Sequence, residues 1–174
     1  MNKYPNILIV RGTGRNVGKT ISACKIIEKL AKEHAPVGIK ISAHFHELAN
    51  PEYVHRSEVF EIVEEKSRSN KDSSRMLQAG AEKVFYIQSE NRMLANAFKI
   101  VLKEIGSGKP VVIESGGLYD FVEPGILIHI FGNNGKKTTE HRSESDVVKI
   151  SSDEVKNFNW DFLKFKNGKF VLNA

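Results

Sequence analysis

Apolar residues fall along this chain in two rhythms. Asn6-Ile7-Leu8-Ile9-Val10 is a short, unbroken apolar run closed by glycine. Such a run predicts a strand buried on both faces of a parallel sheet. From Gly18 to His34 the spacing changes to that of a helix. Ile21, Cys24, Ile27 and Leu30 recur on one face, Ile26 and Ala31 lie beside them, and Pro36 marks the end. Val37-Gly38-Ile39-Lys40-Ile41 then reads as a second strand. The first 41 residues therefore predict strand, glycine loop, helix and strand, which is one βαβ unit.

The alternation continues with one interruption. Residues His44 to Asn70 carry no strong period, and Glu58–Glu64 fits a strand or a short helix equally. Asp72 to Ala79 predicts a helix, with Asp72 as N-cap and Gly80 as its stop. Strands are expected at 84–87, 110–114 and 125–130, and a helix at Met93–Ile105. Residues 132–146, GNNGKKTTEHRSESD, read as a long polar loop. After Val147–Ile150 the style changes. Asn167-Gly168 stands between two apolar-aromatic segments, a strong signal for a hairpin with a type I′ turn. The expected fold class is α/β: a single domain over 1–174, a mainly parallel sheet flanked by helices, and a C-terminal β-hairpin extension at about 158–174.

Composition narrows the picture further. The 174 residues suit one domain, and 40% hydrophobic with 27% charged residues indicates a globular chain. No apolar run approaches the roughly 20 residues of a membrane helix. The N-terminal apolar run is too short for a signal peptide, so a cytoplasmic location is expected. The single cysteine, Cys24, excludes an internal disulfide and reads as a buried structural thiol. The net charge of +5 comes from scattered Lys and Arg, so an anionic small ligand is expected rather than nucleic acid.

The candidate chemistry begins at RGTGRNVGKT, residues 11–20. A dinucleotide fingerprint starting at Gly12 needs glycine at 17, where Val17 stands. A phosphate loop needs Gly-Lys-Thr opening a helix directly after a buried strand, and that context is present. The usual first glycine falls one residue early, at Gly12, while Gly14 keeps the turn permissive. Gly14, Arg15, Asn16, Val17, Gly18, Lys19, Thr20 and Ile21 are the expected nucleotide-binding stretch. Lys19 would reach the β- and γ-phosphates, and Thr20 would place its hydroxyl on Mg²⁺. Glu114 closes an apolar strand and reads as a Mg²⁺ ligand or a solvated strand end. Asp72 reads equally as a helix cap or a further metal ligand. Lys40 ends the second strand at the same sheet edge, and Arg15 and Arg75 are further candidate anion contacts. His44 and His46 have H-x-H spacing with His55 nearby, but no third ligand follows at a matching distance. They read as surface or substrate-loop residues, and His129 as a satisfied core histidine.

Two family resemblances follow from these residues. GTGRNVGKT followed by ISACKIIEKL resembles the phosphate loop and first helix of dethiobiotin synthetase, whose loop has the form GTDTxVGKT. KDSSRMLQAGAEKVFYIQS and GIKISAHFHE resemble the molybdopterin-guanine dinucleotide biosynthesis accessory (MobB) family of P-loop NTPases. The likeness covers about residues 5–131, and the chain length fits the accessory family. It implies GTP or ATP with Mg²⁺ as ligands, Thr20, Asp72 and Glu114 at the metal, and Lys19 and Lys40 as the catalytic cations. The accessory family implies slow GTP hydrolysis beside a guanylyltransferase partner. The synthetase implies ATP-dependent phosphoryl transfer to a small carboxylate or carbamate. A non-catalytic nucleotide switch is the third expectation. No N-K-x-D specifies guanine, and Asn133-Asn134-Gly135-Lys136 is only a faint substitute. Position 14 is not lysine, so the dimer mechanism of ParA-type ATPases is not expected. The hairpin at 160–172 either caps the sheet or pairs across a homodimer.

Overall fold

The computed structural model describes residues 2–132 and 146–173. Strands β1 (Asn2–Gly12), β2 (Val37–Ser42), β3 (Glu52–Arg56), β4 (Phe60–Glu64), β5 (Lys83–Ser89), β6 (Val111–Glu114), β7 (Val122–Phe131) and β8 (Asp146–Ser151) form one sheet. Helices α1 (Lys19–Leu30), α2 (Asp72–Gln78) and α3 (Leu94–Ile105) flank it. The strand order is β3-β4-β5-β2-β6-β1-β7-β8. From β5 to β8 every neighbouring pair is parallel. β4 and β3 add an antiparallel pair at one edge. The protein is thus α/β, with a mostly parallel mixed sheet of eight strands.

The unbroken apolar run in β1 has a direct cause. Ile7 and Ile9 point into one core, with Phe98 and Val101 of α3. Leu8 and Val10 point into the other, with Ile26 and Ile27 of α1 and Met76 of α2. All four β1 side chains are fully buried, so neither face accepts a polar residue. Each contributes about 1.5–3 kcal/mol of burial.

The tail forms the expected hairpin, β9 (Leu163–Lys166) and β10 (Lys169–Leu172), paired antiparallel. Asn167 (φ 51°) and Gly168 (φ 74°) both take the left-handed conformation that a type I′ turn needs. The hairpin stays a separate two-stranded sheet and does not extend the main one. Leu163, Phe165 and Phe170 pack into the α1-side core, with Trp160 beside them.

Two local expectations are corrected, and a third is resolved in favour of one of its two readings. Glu58–Glu64, left open between strand and helix, contributes β4, and β3 before it was not anticipated. β4 pairs with β5 through Ile62 opposite Ile87, which anchors it to the sheet. Asp72 is not the N-cap of α2. Lys71 holds that position with extended backbone, and Asp72 lies in the first turn, its carboxylate turned to other partners. Gly80 (φ 103°) does end α2 in the left-handed conformation. Gly14, expected to keep the phosphate loop permissive, takes no positive φ. The polar stretch 133–145, including Asn133–Lys136, lies outside the described residues. Among the described residues no helix is long and apolar enough to cross a membrane.

Candidate functional site

The loop from β1 to α1 stands at the carboxyl end of the parallel strands, where open α/β sheets place ligands. Its entry is fixed to the neighbouring strand. Thr13 N–H donates to the Ile130 carbonyl (3.1 Å), and Gly132 N–H donates to Thr13 Oγ1 (3.1 Å). Two residues take positive φ: Asn16 (59°) and Gly18 (100°). Gly14 does not, and a Cβ there meets only Val17, at 3.9 Å. Gly14 therefore supplies no left-handed turn. Space instead favours glycine at Gly12, where a Cβ would lie 2.6 Å from Val17 Cγ2. Val17 packs inward against the α1-side core, which draws the loop tight over β1.

Gly18 caps α1 without any side-chain hydrogen bond. The first-turn amides therefore keep their donors, and the helix dipole leaves partial positive charge at that end. Lys19 folds back so that its ammonium donates to the Gly14 carbonyl. Burial holds its pKa below the ordinary lysine value, opposed by the attraction of Glu114 and aided by the repulsion of Lys40.

Sheet order explains the rest of the site. β6 lies between β1 and β2, so Glu114 is in register with both Val10 and Lys40. Glu114 is only 2% exposed. Its Oε2 accepts from Thr20 Oγ1 at 2.8 Å, and its Oε1 accepts from Lys40 Nζ. Lys40 Nζ also lies 3.1 Å from Asp72 Oδ2, and Arg75 Nη1 is 3.8 Å from Asp72 Oδ1. Burial alone would lower the Lys40 pKa. Glu114, and then Asp72, outweigh it and hold the ammonium above its usual value.

These groups line a cleft of about 460 Å³ together with Arg15, Asn16, Gly18 and Ile21. The structure thus brings together Thr20, Asp72, Glu114, Lys19, Lys40, Arg15 and Arg75. Of the expected nucleotide-binding stretch, Val17 and Gly14 do not line this cleft: one packs inward, and the other offers its carbonyl to Lys19. Among the described residues, no group of three or more His, Cys, Asp or Glu is placed to hold a metal. The two carboxylates here are joined through a lysine, with a hydroxyl as the third oxygen.

Among the described residues the histidines form no group placed to hold a metal. His44 and His46 lie exposed in the loop after β2, so the strand geometry that would aim both rings one way is absent. His55 stacks on Phe60 at 4.6 Å between ring centroids. His129 is buried and has an interaction partner, as expected of a core histidine. Cys24 is half-buried, and desolvation raises its thiol pKa to about 11, so it is poorly suited to act as a nucleophile.

Two features were not anticipated. A second cleft of about 760 Å³ opens beside Lys19 and Lys40, walled by Ser42–His44, Tyr86 and Ser115-Gly116-Gly117. Ser115 Oγ accepts from the Gly117 and Leu118 amides (3.3 and 3.0 Å) and shapes that wall. Buried Gln88 clamps the loop above it, accepting from His46 N–H (2.6 Å) and donating to the His46 carbonyl (3.1 Å). A lone Gln in an apolar strand was the only sequence signal for that clamp.

Fold and site together define an α/β protein with a glycine-rich loop joining a buried strand to a helix and facing a Lys–carboxylate cluster. No protein-family model, curated protein or solved structure matches the chain.

Proposed function

We propose that the chain binds a Mg²⁺–nucleoside triphosphate, GTP favoured, and hydrolyses it slowly as an accessory to a guanylyltransferase that builds molybdopterin-guanine dinucleotide. One observation supports nucleotide binding above the others. An uncapped helix N-terminus, Lys19 and Thr20 converge with Lys40, Asp72 and Glu114 on one cleft. Amides and lysines of this kind suit phosphate oxygens, and the hydroxyl and carboxylates suit a hard cation. The accessory role rests on the resemblance of residues 71–89 and 38–47 to that family.

The second cleft favours a second reading, an ATP-dependent ligase resembling dethiobiotin synthetase. A cleft beside both lysines, walled by Ser115-Gly116-Gly117, suits a small carboxylate or carbamate that receives a phosphoryl group. Thermal unfolding with Mg·GTP and with Mg·ATP separates the two. At about 100 times Kd a bound nucleotide adds about 2.7 kcal/mol, a shift of about 5–10 °C for a chain of this size. GTP stabilisation is expected, and an ATP shift without a GTP shift sinks the accessory reading. Lys19→Ala is expected to abolish the shift with either nucleotide. A full shift in that variant refutes the phosphate loop itself.

A further inference from the structure

Lys40 occupies an unusual place. Its ammonium lies between Asp72 and Glu114 and bonds to both, while the second Glu114 oxygen is taken by the Thr20 hydroxyl. These oxygens, from two carboxylates and a hydroxyl, are the ones that a divalent cation would use. The residues present fit such an ion, since one oxygen of each carboxylate already meets a positive charge and the Thr20 hydroxyl adjoins the second Glu114 oxygen. A lysine and a divalent ion cannot share them, because like charges at a few ångströms repel strongly in a partly buried site. We propose that Lys40 is the resident counter-cation of this site and keeps it closed to free divalent cations until a phosphate group draws the ammonium away.

Three observations carry the proposal. Glu114 is 2% exposed and is ion-paired with Lys40, so a cation already occupies its buried oxygen in the free protein. Asp72 sits in the first turn of α2, 3.1 Å from the same ammonium, which gives Lys40 a second anchor. Lys40 also lines the cleft shared with Arg15 and Lys19, so its flexible stem has an anionic destination within reach once phosphates arrive. The consequence is ordered loading. The metal enters together with its phosphates and not before them, and metal and phosphate each strengthen the binding of the other. The trigger rests on the proposed nucleotide function, but the occupied cation position is a property of the free protein.

The experiment therefore uses Mn²⁺ alone, with no nucleotide, and reads binding by electron paramagnetic resonance and calorimetry. Wild type is expected to bind Mn²⁺ weakly. Lys40→Met is expected to bind it about tenfold more tightly or better, because one repelling charge is gone. Lys40→Gln, which keeps a neutral donor toward Glu114, should show the same gain and serves if the methionine variant does not fold. Adding Glu114→Gln to either variant should remove the gain. Equal Mn²⁺ affinity in wild type and the neutral variants overturns the proposal. A gain that survives Glu114→Gln places the ion elsewhere and also overturns it. Failure of the nucleotide reading shows separately, as the absence of any thermal shift with GTP or ATP.

Discussion

Lys40 and its two carboxylates support a quantitative prediction about stability. Lys40→Met removes the ammonium bonded to buried Glu114 and leaves it the Thr20 hydroxyl as hydrogen-bond donor and Lys19 as a further cation that bonds to Gly14 instead. Breaking a buried pair from one side costs about 3–5 kcal/mol, since the remaining charge has no compensation. Asp72→Asn is different in kind. The Asp72 side chain is 44% exposed against 17% for Lys40, so water already solvates it, and Lys40 keeps Glu114. That change is expected to cost about 0–1 kcal/mol. Urea unfolding at neutral pH in EDTA measures both. With a slope of about 2–3 kcal/mol/M, the Lys40→Met midpoint falls by about 1–2.5 M, while the Asp72→Asn midpoint barely moves. The double variant Lys40→Met/Glu114→Gln should recover part of the loss, because no unpaired carboxylate remains. Equal losses in Lys40→Met and Asp72→Asn refute the burial argument, and so does a double variant weaker than the sum of its parts.

Two other predictions use different parts of the molecule. Gly18→Ala places a side chain at φ 100° and a Cβ 2.8 Å from Val155 Cγ1. Left-handed strain of about 1–2 kcal/mol and overpacking of about 1–3 kcal/mol should lower the melting temperature and weaken the proposed nucleotide binding together; unchanged melting would show that the loop does not rest on Val155. Glu65 is partly desolvated, which raises its pKa, but bonds from Ser67 and Ser73 prevail and hold it below the ordinary 4.5. A depressed folded pKa gives stability that is present above the unfolded value and lost as pH falls through the folded one. Glu65→Gln should therefore be weaker than wild type at pH 7, with the gap closing below about pH 4.5 in acid unfolding curves; a gap that persists in acid would assign the loss to packing.

Much of the fold was legible because local rules act on local residues. A doubly buried strand tolerates no polar side chain, so β1, β2 and β6 read as apolar runs. The hairpin was legible because Asn167-Gly168 alone meets the turn's backbone demand. β3 was not, because an edge strand faces water and pairs on one side, so Glu52-Tyr53-Val54-His55-Arg56 carries little alternation. The role of Asp72 was half legible: the residue is apt for a helix start, and only the fold shows that Lys40 claims its carboxylate.

The candidate site divides along the same line. By itself the chain specifies Gly-Lys-Thr between a buried strand and a helix, with acids and lysines at strand ends, because each depends on neighbours a few residues away. Three things belong to tertiary structure alone. β6 inserts between β1 and β2, which sets Glu114 against both Thr20 and Lys40. Val155, from far along the chain, closes on Gly18 and makes a glycine necessary there. The hairpin lies on the α1-side core and not at a sheet edge. Each depends on which distant segments pack together, and strand order is decided by total burial across the sheet rather than by any spacing along the chain.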